Sequence, residues 1–283
     1  MEETMIQIIT DSTCDLSPEL VQKLGVHVIP LSICFGADTY TDGVTIDKET
    51  FYAKLAEAEQ LPTTSQPNPA AMLDCMEPLL EQGDEIVGIF LSSKLSGTFQ
   101  SATIAAGMAD SDNIHLVDSL NATFGLGLLV MIAARARDEG KTAAQIVEIV
   151  EEAKSRLRLI AFVDTLKYLQ MGGRISAASA VVGTLLGINP LISVIDGAVE
   201  SIGKARGRKG AYRHLKTLFE QEAMDENFPV FFGATNDDAA MNELEAALTP
   251  SFTGAVEVYH AEIGAAIGTH AGPGAAGIAY IAK

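Results

Sequence analysis

Ile89-Phe90-Leu91-Ser92-Ser93-Lys94-Leu95-Ser96-Gly97-Thr98-Phe99-Gln100-Ser101-Ala102 is the stretch that decides how this chain is read. With Ile86 and Val87 before it, its first half is the short apolar run of a buried parallel strand. Its second half sets Ser96, Gly97 and Thr98 ahead of an apolar-periodic segment reaching about Met108. The order is strand, hydroxyl-rich turn, helix. The first turn of such a helix has unpaired N–H groups at the positive end of the peptide dipoles, which suits an anion. Ser92, Ser93, Ser96 and Thr98 add hydroxyl donors without adding net charge. The same residues also serve as an ordinary hydroxylated N-cap with no ligand.

Working outward, Met5 to Thr10 reads as a strand ending in Asp11-Ser12-Thr13, and Ser17-Pro18 opens a short helix with Ser as cap and Pro at the first position. Val26 to Ile33 reads as a second strand, Asp47 caps a helix through about Ala58, and Gln60 to Pro69 reads as a loop. A helix to about Gln82 leads into the central strand at Glu85 to Leu91. Beyond the central helix come a strand at Ile114 to Val117, an apolar helix to about Glu139, and a helix to about Arg156 opened by the capping box Thr142-x-x-Gln145. Strands and helices alternating at this spacing mean βαβ units and a parallel sheet.

The pattern changes after Arg156. Leu159 to Val163 is a strand closed by Asp164-Thr165, and a short helix leads to Gly172-Gly173-Arg174. Leu191 to Ile195 and Ala198 to Ile202 form a hairpin across Asp196-Gly197, a pair suited to a type I′ turn. A helix from about Gly210, a strand at Phe228 to Ala234, a helix from Asp237 and a strand at Ala255 to Glu262 follow, and the Gly-rich Gly264 to Gly277 leads into a last apolar strand. The expected fold class is α/β in two domains: an N-terminal Rossmann-like parallel-sheet domain over residues 1–157 and a C-terminal α+β domain with a mixed sheet over 158–283. Asp11-Ser12, Asp118-Ser119 and Asp164-Thr165 each close an expected strand, where open α/β sheets place ligands. Asp and Ser are also good turn residues, and that reading stands beside it.

Composition narrows the function. A net charge of −18 over 283 residues argues against a nucleic-acid backbone as partner. Cys14, Cys34 and Cys75 form no C-x-x-C pair and are expected to be reduced thiols in a cytoplasmic protein. Met1-Glu2-Glu3-Thr4 lacks the features of a signal peptide, and the uncharged run Ala122 to Ala134 is too short to cross a bilayer. No phosphate-binding P-loop, no H-E-x-x-H and no G-x-S-x-G occurs, and the five histidines show no metal-ligand spacing. Three local features remain. Thr63-Thr64-Ser65-Gln66-Pro67 is a hydroxyl-rich loop stiffened by Pro. Gly268-Thr269-His270-Ala271-Gly272-Pro273-Gly274 sets a histidine where backbone can approach a ligand, or marks a tight turn. Ser201 to Phe219 holds Lys204, Arg206, Arg208, Lys209, Arg213 and Lys216 and no acid, which fits an anionic partner or a solvated helix face.

Taken in order, Asp11-Ser12-Thr13-Cys14-Asp15-Leu16, Thr64-Ser65-Gln66-Pro67, Ser92 to Thr98, Gly172-Gly173-Arg174-Ile175 and Gly268 to Gly274 resemble the DegV family. These are the bacterial fatty-acid-binding proteins that serve as the FakB subunit of fatty acid kinase. The resemblance runs from about residue 6 to residue 281. It implies a long-chain fatty acid buried between and within two domains, and a cytoplasmic carrier for phospholipid metabolism rather than a catalyst. A separate fatty acid kinase subunit would phosphorylate the bound carboxyl with ATP, and no metal or cofactor is implied. Carried over residue by residue, the resemblance implies carboxylate contacts at Thr64, at the Ser93 to Ser96 turn with Ser93 ahead of Ser96, and at His270. Arg174 and Arg206 are expected to help kinase docking or phosphate handling. Gln170-Met171, Asn189 and Asn68 depart from the family pattern, and the first two remove positive charge from the expected kinase-facing surface. A serine-dependent acyl hydrolase or transferase using Ser93 or Ser96, and a sugar-phosphate or nucleotide module, are the rival readings.

Overall fold

The computed structural model describes residues 4–175 and 187–283; Met1, Glu2 and Glu3, part of the N-terminal reading, lie outside them. β1 (Ile6–Asp11) runs into a 3-10 turn at Ser12–Cys14. α1 (Pro18–Leu24) starts on the Ser17 cap, and β2 (Val26–Ile29) returns parallel to β1. The expected strand Val26 to Ile33 is two strands. Pro30 has no N–H for a ladder, so the chain leaves the parallel sheet there. It enters a small antiparallel sheet as β3 (Ser32–Phe35), paired with β4 (Asp38–Thr41). After α2 (Lys48–Glu57), the expected loop contains β5 (Thr63–Ser65), which pairs with β3 on its other edge.

α3 (Pro69–Glu81), β6 (Glu85–Phe90), α4 (Thr98–Ala109) and β7 (Ile114–Asp118) complete a wholly parallel sheet of order β2-β1-β6-β7. The chain turns one way from β1 and the other way from β6, so the switch point lies between their carboxyl ends, at Asp11 and Phe90.

α5 (Thr123–Asp138) and α6 (Ala143–Arg156) follow, the latter with the expected Thr142–Gln145 capping box. β8 (Leu157–Phe162) opens a second, mixed sheet. It is completed, with its helices, by α7 (Lys167–Met171), β9 (Ile188–Ile195), β10 (Ala198–Arg206), α8 (Gly207–Gln221), β11 (Val230–Ala234), α9 (Asp238–Leu248), β12 (Val258–Glu262), α10 (Ala265–Ala271) and β13 (Ala276–Ile281). Its order is β10-β9-β8-β13-β11-β12, antiparallel except between β11 and β12. Asp196 and Gly197 have φ of 49° and 84°, as a type I′ turn demands, and β10 runs past the expected Ile202 to Arg206. The Gly-rich segment after β12 is a helix, α10, rather than a turn.

α5 joins the two sheets. Thirteen of its sixteen residues are buried, so it has no face for water and needs cover all round. It packs on β1 and β6 from one sheet and on β8, β11 and β13 from the other, and one apolar core runs through both. Gly127 lets it approach the turn after β1: a Cβ there would lie 2.5 Å from the Cys14 carbonyl oxygen and 3.0 Å from Leu16. Gly127→Val is therefore expected to cost about 1–3 kcal/mol by overpacking, read as a lower urea midpoint. An unchanged midpoint would mean that this contact yields freely.

Candidate functional site

The site begins at the switch point. Asp11 is fully buried; its carboxylate accepts the Leu91 N–H at 2.8 Å and the Thr13 N–H at 3.0 Å. That joins the carboxyl ends of β1 and β6 and fixes where the Ser92 to Ser96 turn leaves the sheet. The buried Ser92 hydroxyl donates to the Gly197 carbonyl at 2.7 Å, tying the turn to the β9–β10 hairpin of the other sheet. Ser96 Oγ accepts the Thr98 N–H at 3.3 Å and bonds Thr98 Oγ1 at 2.9 Å; the N-cap of α4 is Gly97, with no side-chain cap bond. Gly97 is required by a neighbour, since a Cβ would lie 2.2 Å from Gln66 Oε1. The Thr63 to Gln66 segment thus packs directly on the turn. Thr64, on β5, bonds His270 Nε2 through Oγ1 at 2.9 Å. His270 ends α10, and a Cβ on Gly172 would lie 2.2 Å from its Nδ1. Arg174 closes the group: its Nε donates to the Leu95 carbonyl at 3.1 Å and its Nη1 to the Gly172 carbonyl at 2.5 Å.

Thr64, Ser96, Arg174 and His270 all line one cavity between the sheets, whose remaining wall is overwhelmingly apolar, with Leu91, Phe124, Leu159 and Ile192 among it. The other residues singled out from the sequence lie as follows. Ser93 is exposed and does not line the cavity, and its N–H is taken by Asp118 Oδ1 at 3.1 Å, so Ser96, not Ser93, is the inward hydroxyl. Arg206, at the end of β10, is exposed and also outside the lining, whereas Arg174 belongs to it. Asn189 is buried and donates to Asp164 Oδ1 at 3.0 Å, so it offers nothing to a docking partner. The three strand-closing Asp residues fasten turns rather than face the cavity: Asp118 also holds the Leu120 N–H, and Asp164 holds Asn189 and Arg208. Thr123 was not singled out from sequence. It lines the cavity with φ of 48°, an unusual conformation for a β-branched residue, and its place inside an apolar run gave no signal.

The head of the cavity has one fixed cation and one neutral imidazole. Burial, helped by the nearby Arg174 charge, lowers the His270 pKa to about 4. At neutral pH the ring is uncharged, and its buried Nδ1 has no hydrogen-bond partner among the described residues. Whichever nitrogen carries the proton, the Thr64–His270 pair presents one donor and one acceptor to each other.

Fold and site together define a two-sheet α/β protein that encloses an apolar chamber with hydroxyl, imidazole and guanidinium groups gathered at one part of its wall. The chain belongs to the DegV family, described as uncharacterised, whose profile matches residues 5–283. It is 38% identical over 279 residues to a DegV domain-containing protein of Caldanaerobacter subterraneus subsp. tengcongensis, covering 98% of this chain and 99% of that one. A DegV family protein from Thermus thermophilus with fatty acid binding superposes with a TM-score of 0.91 at 32% identity, covering 98% of this chain and all (100%) of that one. DegV of Bacillus subtilis, a fatty acid binding protein, does so with a TM-score of 0.86 at 32% identity over 99% and 100% of the two chains. No helix among the described residues is long and apolar enough to cross a membrane.

Because the folded pKa of His270 lies below the ordinary 6.5, the unfolded chain takes up a proton between pH 6.5 and 4 that the folded chain refuses. This group therefore costs the protein stability as pH falls through that window. Asp11, Asp15 and Asp42, whose pKa values burial raises, act in the opposite sense, so wild type must be compared with a variant. His270→Gln is expected to unfold less readily on acidification than wild type does, and NMR titration should place the His270 midpoint near 4. A midpoint near 6.5 would contradict the desolvated ring.

Proposed function

We propose that this chain is a cytoplasmic long-chain fatty acid carrier that presents its ligand's carboxylate to a separate fatty acid kinase subunit, which forms the acyl phosphate with ATP. One observation carries the reading: an apolar cavity in which Arg174, the one charged lining residue among the described residues, adjoins Thr64, Ser96 and His270. A buried carboxylate is costly unless its oxygens are paired. Hydroxyl and imidazole donors can pair them, each charge-assisted bond contributing roughly 1.5–3 kcal/mol. The tail supplies most of the affinity, roughly 0.8 kcal/mol per buried CH₂ and so about 10 kcal/mol gross for a long chain, less association and ordering costs. The fatty acid binding of the related Thermus thermophilus and Bacillus subtilis proteins supports the same ligand class here.

The geometry disfavours the serine-enzyme rival. The Ser96 hydroxyl is bonded to Thr98, while His270 Nε2 faces Thr64 and its Nδ1 has no carboxylate to orient it, so no nucleophile–base–orienter series forms. In the carrier reading the kinase meets the protein near the cavity head, with Arg174 and the exposed Arg206 handling docking or phosphate.

Native mass spectrometry of the purified protein is expected to show an increment of about 250–290 Da, the mass of a ligand that fills such a cavity, with a free fatty acid in the organic extract. Thr64→Val with Ser96→Ala should weaken palmitate binding at least about tenfold, and Ser93→Ala should leave it unchanged. Arg206→Glu should keep lipid affinity and lower acyl-phosphate output with the kinase. An apo mass, or serine labelling by a fluorophosphonate, would overturn the carrier reading.

A further inference from the structure

The head of the cavity draws on two arms from opposite halves of the chain, the Ser96 turn and the His270 helix, and something must hold them in register. We propose that Asp15 and Asp42 are positioning residues for His270, fixing the start of α10 and through it the imidazole at the cavity head. The inference rests on the carrier reading for its functional meaning, while the positioning itself is independent of any ligand.

α10 has only seven residues, and its N-cap, Gly264, has no side chain with which to satisfy the free N–H groups. Two N–H groups at this start are met from the other half of the chain. The Gly264 N–H donates to Asp15 Oδ1 at 2.8 Å and the Ala265 N–H to Asp42 Oδ1 at 3.1 Å. The backbone of Asp15 closes the Ser12–Cys14 turn in a left-handed conformation, φ 51°, and its carboxyl reaches the helix start through Oδ1 alone among the described residues. Asp42 Oδ2 accepts the Ser12 hydroxyl at 2.8 Å, and Ser12 Oγ accepts the Leu31 N–H at 3.1 Å. The same short turn begins at Asp11, whose hold on Leu91 sets the departure of the Ser96 arm. One turn after β1 thus grips both arms.

The helix has little freedom to shift once its start is held. A Cβ on Gly268 would lie 2.6 Å from the Tyr52 hydroxyl and 2.8 Å from Phe51, so α10 lies hard against α2. Tyr52 donates to the Ile263 carbonyl at 3.3 Å, just ahead of the helix. At the far end His270 meets Thr64.

Asp11, Asp15 and Asp42 are all buried, and none has an ion-pair partner among the described residues; Lys48, nearby, is paired with Glu262 at 3.0 Å. Burial raises the pKa of each. Nor, among the described residues, is there a group of His, Cys, Asp or Glu side chains that could hold a metal ion. Burying carboxyl groups is costly, and the hydrogen bonds they accept from the start of α10 offset part of that cost.

The test compares Asp15→Ala and Asp42→Ala with Asp15→Asn and Asp42→Asn, which keep an acceptor oxygen. The readouts are the ¹⁵N shifts and titration midpoint of the His270 ring, palmitate affinity and the urea midpoint. The alanine variants are expected to move the His270 midpoint from about 4 toward 6.5 and to weaken palmitate at least about tenfold, while the asparagine variants stay near wild type. Leu244→Ala, a loss of stability in the core beneath α9 and away from this turn, should leave the His270 signals in place. If Asp42→Ala does not fold, Ser12→Ala, which removes the hydroxyl that bonds Asp42 and accepts the Leu31 N–H, should shift the ring signals the same way. Unchanged His270 signals in the folded variants would overturn the proposal. Shifted signals in a protein whose wild type binds no palmitate would instead sustain the positioning and overturn the carrier reading.

Discussion

A helix with no polar face is the constraint on which this structure depends. α5 is apolar or small from Thr123 to Ala134 and can exist in water only if it is covered on every side. The parallel sheet covers one side and the mixed sheet another, so burying α5 draws two different sheets together. The cavity forms beside this seam, where Ala122, Thr123 and Phe124 at the helix start meet Leu159 and Ala161 of β8. A chamber lined by two sheets is thus a by-product of satisfying one segment. Its apolar character follows from the same cause, since the walls are core-facing residues of both sheets.

The polar head answers a second constraint. Between two sheets brought together by apolar packing, any hydroxyl or ring nitrogen has to find a partner within the protein. Thr64 and His270 find each other across 206 residues of chain, and Arg174 is spread over two carbonyls. These bonds hold the side chains in place without neutralising one another. A neutral imidazole and hydroxyls offer hydrogen bonds but no net charge, leaving Arg174 as the sole lining cation among the described residues.

Much of this was legible because the signals are local. Ser17-Pro18, the Thr142–Gln145 box and Asp196-Gly197 each fix a few residues by their own chemistry, and all three act as read. Thr64 and His270 were singled out through a family resemblance rather than through spacing, and the structure sets them side by side on the cavity wall. The failures lie where distant contacts decide. Ser93 and Ser96 are chemically alike in sequence, yet in the fold Ser96 lines the cavity while Ser93, its N–H held by Asp118, is exposed. The basic run from Lys204 to Lys216 looked like one patch, yet Arg208 is spent on Asp164 and Asp237, which approach from other elements. β5 escaped notice because three residues carry no readable alternation. Pro30 was visible but unused: its lack of an N–H marks where one strand becomes two.

The choice of a neutral ring has a chemical consequence in the proposed role. A carboxylate that is to attack a phosphoryl group must keep electron density on an oxygen. An imidazolium beside Arg174 would set two positive charges against it, hold it tightly and blunt it. Burial removes that second charge: the same desolvation that lowers the His270 pKa leaves the ring able to orient the head group while only one cation draws on it. Desolvation requires that the ring stay packed under Gly172 and against Thr64, where a helix displaced by a fraction of a turn would let water in. The position of a seven-residue helix therefore sets the charge of the site, and the carboxylates that fix that helix act on the chemistry from outside the cavity.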